Sequence, residues 1–397
     1  MSRFRFHTAG ETHGPALVSV VEGLPAGLSV RTEEVNRQLA RRQAGYGRGE
    51  RMRIERDEVE ILSGVRFGKT LGGPVSMLIR NRDWENWREK MSREGDGKGI
   101  APLDTARPGH ADLPGVLKFD HRDVRNVLER ASARETAARV AAGTLARLLL
   151  REFTVDIAGH VLSIGKVRVR DGIPGVWERA VEAEGSGLRM ADPEAAERAE
   201  RAIDRAKRKG STVGGVVEVI ARGVPPGLGS FASWDLRLDG LLAKAVMSIP
   251  AIKGVEIGGG MGVALRFGNE GHDEIFPGAG KGERFHGGFR MPFHRRTNRA
   301  GGIEGGMTNG SPVVVRAAMK PIPTQAVPLR TVRIGSWRRT SAHRERSDVC
   351  AVPACSVVAE SMVAIVLAGA FLGKFGGDSM REIQYNYAGY LRRAGFR

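Results

Sequence analysis

Two histidines in this 397-residue chain stand in turns suited to bringing an imidazole against a ligand. One lies in Gly10-Glu11-Thr12-His13-Gly14, the other in Arg107-Pro108-Gly109-His110-Ala111-Asp112. Flanking glycines let backbone and side chain approach closely, and imidazole titrates near neutral pH, so either ring could protonate a leaving group. A structural histidine in a turn accounts for each motif equally well. A third segment, Glu129-Arg130-Ala131-Ser132-Ala133-Arg134-Glu135, reads as the mouth of a helix. Ser132 and Glu135 form an S-x-x-E capping box, and Ala137, Val140, Ala141, Leu145, Leu148 and Leu149 follow at helical spacing. Free N–H groups there, flanked by Arg130 and Arg134, attract anions; a serine that only caps and two solvated arginines fit as well. Arg346-Ser347-Asp348 and the upstream Arg41, Arg42 and Arg48 are open to the same two readings.

Charge points the same way as these clusters. The net charge is +17, carried more by arginine than lysine, which suits capture of phosphate and carboxylate. Aromatic residues are only 6% and no nucleic-acid motif is present, which argues against a nucleic-acid partner. The runs Gly258-Gly259-Gly260 and Gly301-Gly302-Ile303-Glu304-Gly305-Gly306 lack the strand-then-helix context of a dinucleotide fingerprint, and no Walker-type loop occurs. Cys350 and Cys355 lack metal-ligand spacing, so no metal site is expected. No apolar signal core opens the chain, and the apolar run at 355–375 is broken by Glu360 and Lys374. It reads as a buried helix, with no membrane contact and a cytoplasmic location.

The elements that must hold these residues can be placed coarsely. Residues 4–22 alternate as a hairpin, 33–44 form a helix with Thr32 as a cap, and 45–52 make a basic, glycine-broken loop. Strands are expected at 59–67, 74–80, 213–222 and 313–319, and an outer amphipathic helix runs from Asp192-Pro193 to Lys209-Gly210. Residues 82–104 read as a charged surface excursion and 268–310 as functional loops. The mixed order favours an α+β layered fold over regular βαβ alternation, with no linker dividing residues 1–397.

At these residues the chain resembles the chorismate synthase family over almost its whole length. The matching signatures are Gly10 to Gly14 continuing to Glu22-Gly23-Leu24-Pro25, the run from Glu129 to Leu145, and the run from Arg346 to Met362. Between them lie Arg107 to Asp112, Lys253 to Gly258, Gly301 to Gly310 and Lys320 to Thr324. Thr12 stands where the family usually has serine. The resemblance implies one domain over 1–397, a multilayer β-α-β sandwich whose sheets enclose a helical layer, assembled as a homotetramer.

The implied reaction is the loss of phosphate and a proton from 5-enolpyruvylshikimate 3-phosphate, giving chorismate. It depends on reduced FMN without net redox change. The resemblance makes His13 the acid for the departing phosphate, His110 a neighbour of the flavin, and Asp348 a help in moving the proton. Arg42, Arg48, Arg107, Ser132 and Arg134 would contact the substrate. Arg130, Ala131, Ser132, Pro250, Ala251, Gly305, Lys320, Pro321, Ile322, Pro323, Thr324 and Arg346 would line the flavin. Family members also contact NADPH at the positions of Arg42 and Arg48. With no added reductase domain in sight, a separate flavin reductase is expected.

Overall fold

A computed structural model of the chain describes residues 4–49, 56–170, 175–278, 285, 288–345 and 347–397. The predicted hairpin is β1 (Arg5–Ala9) and β2 (Ala16–Glu22), with Arg5 opposite Glu22. Gly10 ends β1 at φ 104°, and a Cβ there would lie 2.3 Å from the Ala16 carbonyl oxygen, so only glycine makes this turn. Next comes α1 (Thr32–Gln43), whose cap position is Arg31 without a side-chain cap bond; Thr32 is the first helical residue rather than the cap. The strand expected over 59–67 stops early as β3 (Val59–Ile61). Gly64, at φ 82°, turns the chain into a separate ladder between Val65–Arg66 and Lys69–Thr70. With β4 (Val75–Arg80) these strands form an antiparallel sheet of order β1-β2-β4-β3.

Two short helices follow, α2 (Asp112–Phe119) and α3 (Arg125–Ala131), then a 3-10 turn (Ala133–Glu135) and α4 (Thr136–Arg151). The helix expected to open at Ser132 does so through the 3-10 turn, for which Ser132 is the N-cap, and becomes α-helical at Thr136. Ser132 is an extended break between α3 and the turn, at φ −66° and ψ 145°, and its Oγ accepts from Arg134 N at 3.4 Å. Glu135 does not reach back to close a capping box. Its carboxylate accepts from Thr8 Oγ1 at 2.8 Å and Arg139 Nε at 2.9 Å, partners that a local pattern does not announce.

The chain continues through β5 (Asp156–Ile164), β6 (Val167–Arg168), α5 (Val176–Glu182), α6 (Pro193–Arg208), β7 (Gly215–Arg222), α7 (Leu238–Met247), β8 (Ile252–Ile257), β9 (Val313–Met319), α8 (Val352–Phe375) and α9 (Met380–Arg393). A second antiparallel sheet has the order β8-β9-β7-β5-β6. On the outside, α6 begins as expected, with Asp192 Oδ1 accepting from Ala195 N at 3.1 Å and only Ala195, Ala199 and Ile203 buried. Inside, α4 packs against α8 and α1, while α4 also meets β2 and α8 meets β5 and β7. The helices thus lie between two sheets, the α+β sandwich that the resemblance implied.

Nearly every side chain of α8 is buried, so its apolar length belongs to the protein core. The one acid within it, Glu360, is fully buried. It accepts from Arg41 Nη1 at 2.7 Å, Arg189 Nη2 at 2.8 Å and Gly159 N at 2.9 Å, and pairs with Arg147 as well. Burial by itself would raise its pKa. Arg41, Arg147 and Arg189 outweigh that and hold the carboxyl down at about 2. This knot ties α1, α4, β5 and α8 together.

Candidate active site

The turn after β1 carries His13, and the last turn of α3 supplies what holds it. Glu129 is buried, and its carboxylate accepts from His13 N at 2.8 Å and meets His13 Nδ1 at 2.8 Å. Thr12 adds two bonds to the Glu129 carbonyl, from its N and its Oγ1, each 3.0 Å. On one face of the imidazole lies the indole of Trp87, with ring centroids 3.6 Å apart and planes within 16°. Trp87 belongs to the charged excursion after β4, which therefore folds back over the first histidine.

His110 is held in the same way. Its Nδ1 lies 2.5 Å from Asp112 Oδ1, and Asp112 is fully buried at the start of α2. Burial opposes ionisation of Asp112, but His110 and Arg107 bind it strongly enough to hold it well below the usual carboxylate range. An ionised carboxylate only accepts, so Nδ1 donates where it pairs with Asp112, while Arg107 Nη2 lies 3.0 Å from the same nitrogen. Gly109, at φ 80°, brings its carbonyl onto Lys320 Nζ at 2.6 Å. Burial, with help from Lys253, lowers the pKa of Lys320.

The arginines arrive with carboxylates. Arg42 donates from Nε to Thr136 Oγ1 at 2.9 Å and from Nη2 to the Ala133 carbonyl at 3.0 Å, and its Nη1 faces Asp57 at 3.3 Å. Arg134 Nη1 meets the other Asp57 oxygen at 3.0 Å. Arg48 Nη1 pairs with Asp348 at 2.7 Å, and Gly49 N donates to the same carboxylate at 2.6 Å. Arg107 is bound by Asp112, Thr324 Oγ1 and Glu345. Burial pushes the Arg42 guanidinium down to about 10; Asp57 opposes the shift while Arg48 and Arg134 add to it.

These groups border one cavity of about 460 Å³. His13, His110, Arg42, Arg48, Arg107, Arg134, Lys320 and Asp348 face it, along with the Ser132 break and an apolar wall of Ile249, Pro250, Met319 and Val358. Glu129, Asp57 and Asp112 stand behind the groups they hold. Of this size and lining, the cavity suits a ligand that is part flat and apolar, part anionic.

Comparison with known proteins gives the family. A family model described as chorismate synthase matches residues 4–372. A chorismate synthase of Geotalea uraniireducens (strain Rf4) is 55% identical over 392 residues, covering 98% of each chain. One of Aquifex aeolicus (strain VF5) is 52% identical over 396 residues, covering 98% of this chain and 97% of that one. A solved structure titled "Crystal Structure of Chorismate Synthase" superposes with a TM-score of 0.79 at 44% identity, covering 99% of both chains. The chain belongs to the chorismate synthase family. It is an enzyme of that lyase family.

Most residues expected from the family signatures converge. His13, His110, Asp348, Arg42, Arg48, Arg107, Ser132, Arg134, Ala131, Pro250, Ala251, Lys320, Ile322, Pro323 and Thr324 all line the cavity. Arg130 and Pro321 are not among the lining residues; Arg130 turns outward to donate to the Thr8 carbonyl at 2.8 Å and the Gly10 carbonyl at 3.2 Å. Gly305 is also elsewhere. It sits in a hairpin whose Gly306 carbonyl accepts from Leu238 N at the start of α7, while Pro250 and Ala251 follow the far end of that helix. A ten-residue helix is about 15 Å long, which separates the hairpin from this chain's cavity. Arg346 lies outside the described residues. The sequence reading missed Asp57, Trp87 and Glu345, and it quoted Glu129 only as the start of a signature.

Proposed function

We propose that this cavity converts 5-enolpyruvylshikimate 3-phosphate to chorismate, the last step of the shikimate pathway to aromatic amino acids. The observation that carries the reading is the convergence of His13, His110, Arg42, Arg48, Arg134 and Asp348, from well-separated segments, on one cavity. The substrate bears a phosphate and two carboxylates, and the three guanidiniums supply the matching charge. His13 gives a proton to the departing phosphate as its carbon–oxygen bond breaks. Arg107 lines the same cavity, its guanidinium fixed by Asp112, Thr324 and Glu345 much as Arg42 is fixed by Thr136, Ala133 and Asp57, and it adds a further cation toward the substrate's anionic groups. Asp348, fixed by Arg48 and Gly49 N, stands ready to take part in moving the ring proton.

Reduced FMN is the cofactor in this reading, and the residues fit it. The Ser132 break, Ala131, Pro250, Ala251 and the run Lys320, Ile322, Pro323 and Thr324 offer backbone groups, an apolar wall and a cation. When bound there, reduced FMN would supply an electron-rich ring to assist loss of phosphate and a basic ring nitrogen for the substrate proton. NADPH serves through an outside flavin reductase, and the working form is a homotetramer. The test supplies substrate and chemically reduced FMN without oxygen and follows chorismate absorbance. Turnover is expected; folded protein without turnover overturns the reading. A His13→Ala variant at full rate removes the acid role alone. NADPH with oxidised FMN and no added reductase is expected to yield no chorismate.

A further inference from the structure

His13 can serve as an acid only if its ring presents the correct nitrogen to the substrate, and two residues outside the cavity lining determine that. Glu129 binds the histidine twice, at its backbone N and at Nδ1, both at 2.8 Å. Glu129 is buried, and its backbone carbonyl accepts from Thr12 N and Oγ1, so the turn carrying His13 is tied at four points to the last turn of α3. Trp87 closes one face of the ring at 3.6 Å, and its indole N–H donates to Asp83 at 3.0 Å, which fixes the plane of the stack. Asp83 is itself oriented by Asn81 Oδ1, which accepts from Asp83 N at 3.1 Å. Asn81 in turn donates to the Gly14 carbonyl at 2.9 Å, on the same turn as His13. The path therefore returns to its start.

We propose that Glu129 and Trp87 are positioning residues for His13: Glu129 keeps the Nδ1 proton, so that Nε2 is the nitrogen that exchanges a proton with substrate, and Trp87 locks the ring plane. His110 provides an internal parallel, since its Nδ1 also faces a buried carboxylate, that of Asp112. Such outer partners select the tautomer and orientation of a working histidine. The proposal rests on His13 being the acid for the departing phosphate.

Three measurements test it. Glu129→Gln, which preserves size but replaces one accepting oxygen with a donor facing His13 N–H, is expected to lower kcat about 100-fold while KM stays within twofold. Trp87→Ala is expected to lower kcat about tenfold and Trp87→Phe to restore most of it, because a phenyl ring can still stack. For variants that do not fold, ¹⁵N-histidine NMR of the full-length protein reads the tautomer directly, with His13 assigned by the signal lost in His13→Gln. The neutral ring is expected to carry its proton on Nδ1. A kcat within twofold of the parent in Glu129→Gln, a KM rising in step with kcat loss, or a neutral ring protonated on Nε2 overturns the proposal. Should the acid role itself be wrong, His13→Ala keeps its full rate; should only the positioning be wrong, His13→Ala is still inactive.

Discussion

Arg42 and Arg134 meet the same carboxylate from its two sides: Asp57 Oδ2 faces Arg42 Nη1 at 3.3 Å, and Asp57 Oδ1 faces Arg134 Nη1 at 3.0 Å. One negative charge thus serves two guanidiniums at the cavity wall, and Arg48 adds a third cation with Asp348 as its partner. Along this stretch of the wall three guanidiniums thus share two carboxylates.

Replacing Asp57 by Asn should expose that imbalance. Removing one partner of a buried ion pair ordinarily costs about 3–5 kcal/mol, so the melting temperature should fall. Inorganic phosphate should then recover part of the loss by standing in for the missing carboxylate. Thermal melts with and without phosphate check this: the phosphate-dependent rise should be larger in Asp57→Asn than in the parent.

Arg42, held down at about 10, gives the site an alkaline limit. Raising the pH through that value removes a positive charge, so affinity for an anionic substrate must fall, by up to about tenfold one pH unit higher. Lys320, also lowered by burial, titrates in the same sense. Calorimetric titration with substrate across this range, repeated on Arg42→Gln, separates the two: the step assigned to Arg42 should vanish in the variant.

Glu360 should dominate acid sensitivity. Its folded pKa of about 2 lies below the ordinary glutamate value of 4.5, so its contribution is complete above 4.5 and lost as pH falls from there toward 2. Glu360→Gln leaves Arg41, Arg147 and Arg189 without their shared acid and should cost about 3–5 kcal/mol near neutral pH. Urea denaturation at successive pH values should show the two proteins converging as the pH falls through that window.

The two cysteines should be chemically silent. Burial pushes the Cys350 thiol up to about 11 and the Cys355 thiol up to about 12, although Cys355 borders the cavity. Maleimide at about pH 8 should leave both unmodified by mass spectrometry until denaturant is added.

Local pattern was a good guide to elements, and the family signatures to many of the residues that face the cavity. The β1–β2 hairpin, the outer helix α6 and the buried α8 carry their evidence in period and caps. His13, His110 and Ser132 stand out because turns around a ligand need particular residue types. The partners behind them are a different matter. Glu129 lies 116 residues from His13, and Arg42 reaches across 94 residues to Thr136. Nothing in the neighbourhood of Asp57 says which guanidinium it will meet. The capping box at Ser132 is half formed for a related reason: Ser132 Oγ caps Arg134 N, but Thr8 and Arg139 take Glu135 once the fold has brought them there. Gly305 shows the opposite limit, because a motif shared with a family does not say which cavity it borders.

Cations that already have partners make the cavity a filter. A chloride or a lone phosphate offers one point of attraction, and to bind it must displace or share with a carboxylate that never leaves. A ligand with three separated anionic groups would meet Arg42, Arg48 and Arg134 together, all three of which face the cavity, and each contact would hold the next group near its guanidinium. In a cell crowded with small anions, Asp57 and Asp348 therefore act as built-in competitors, setting a threshold of charge number and spacing that a molecule must meet before it can stay.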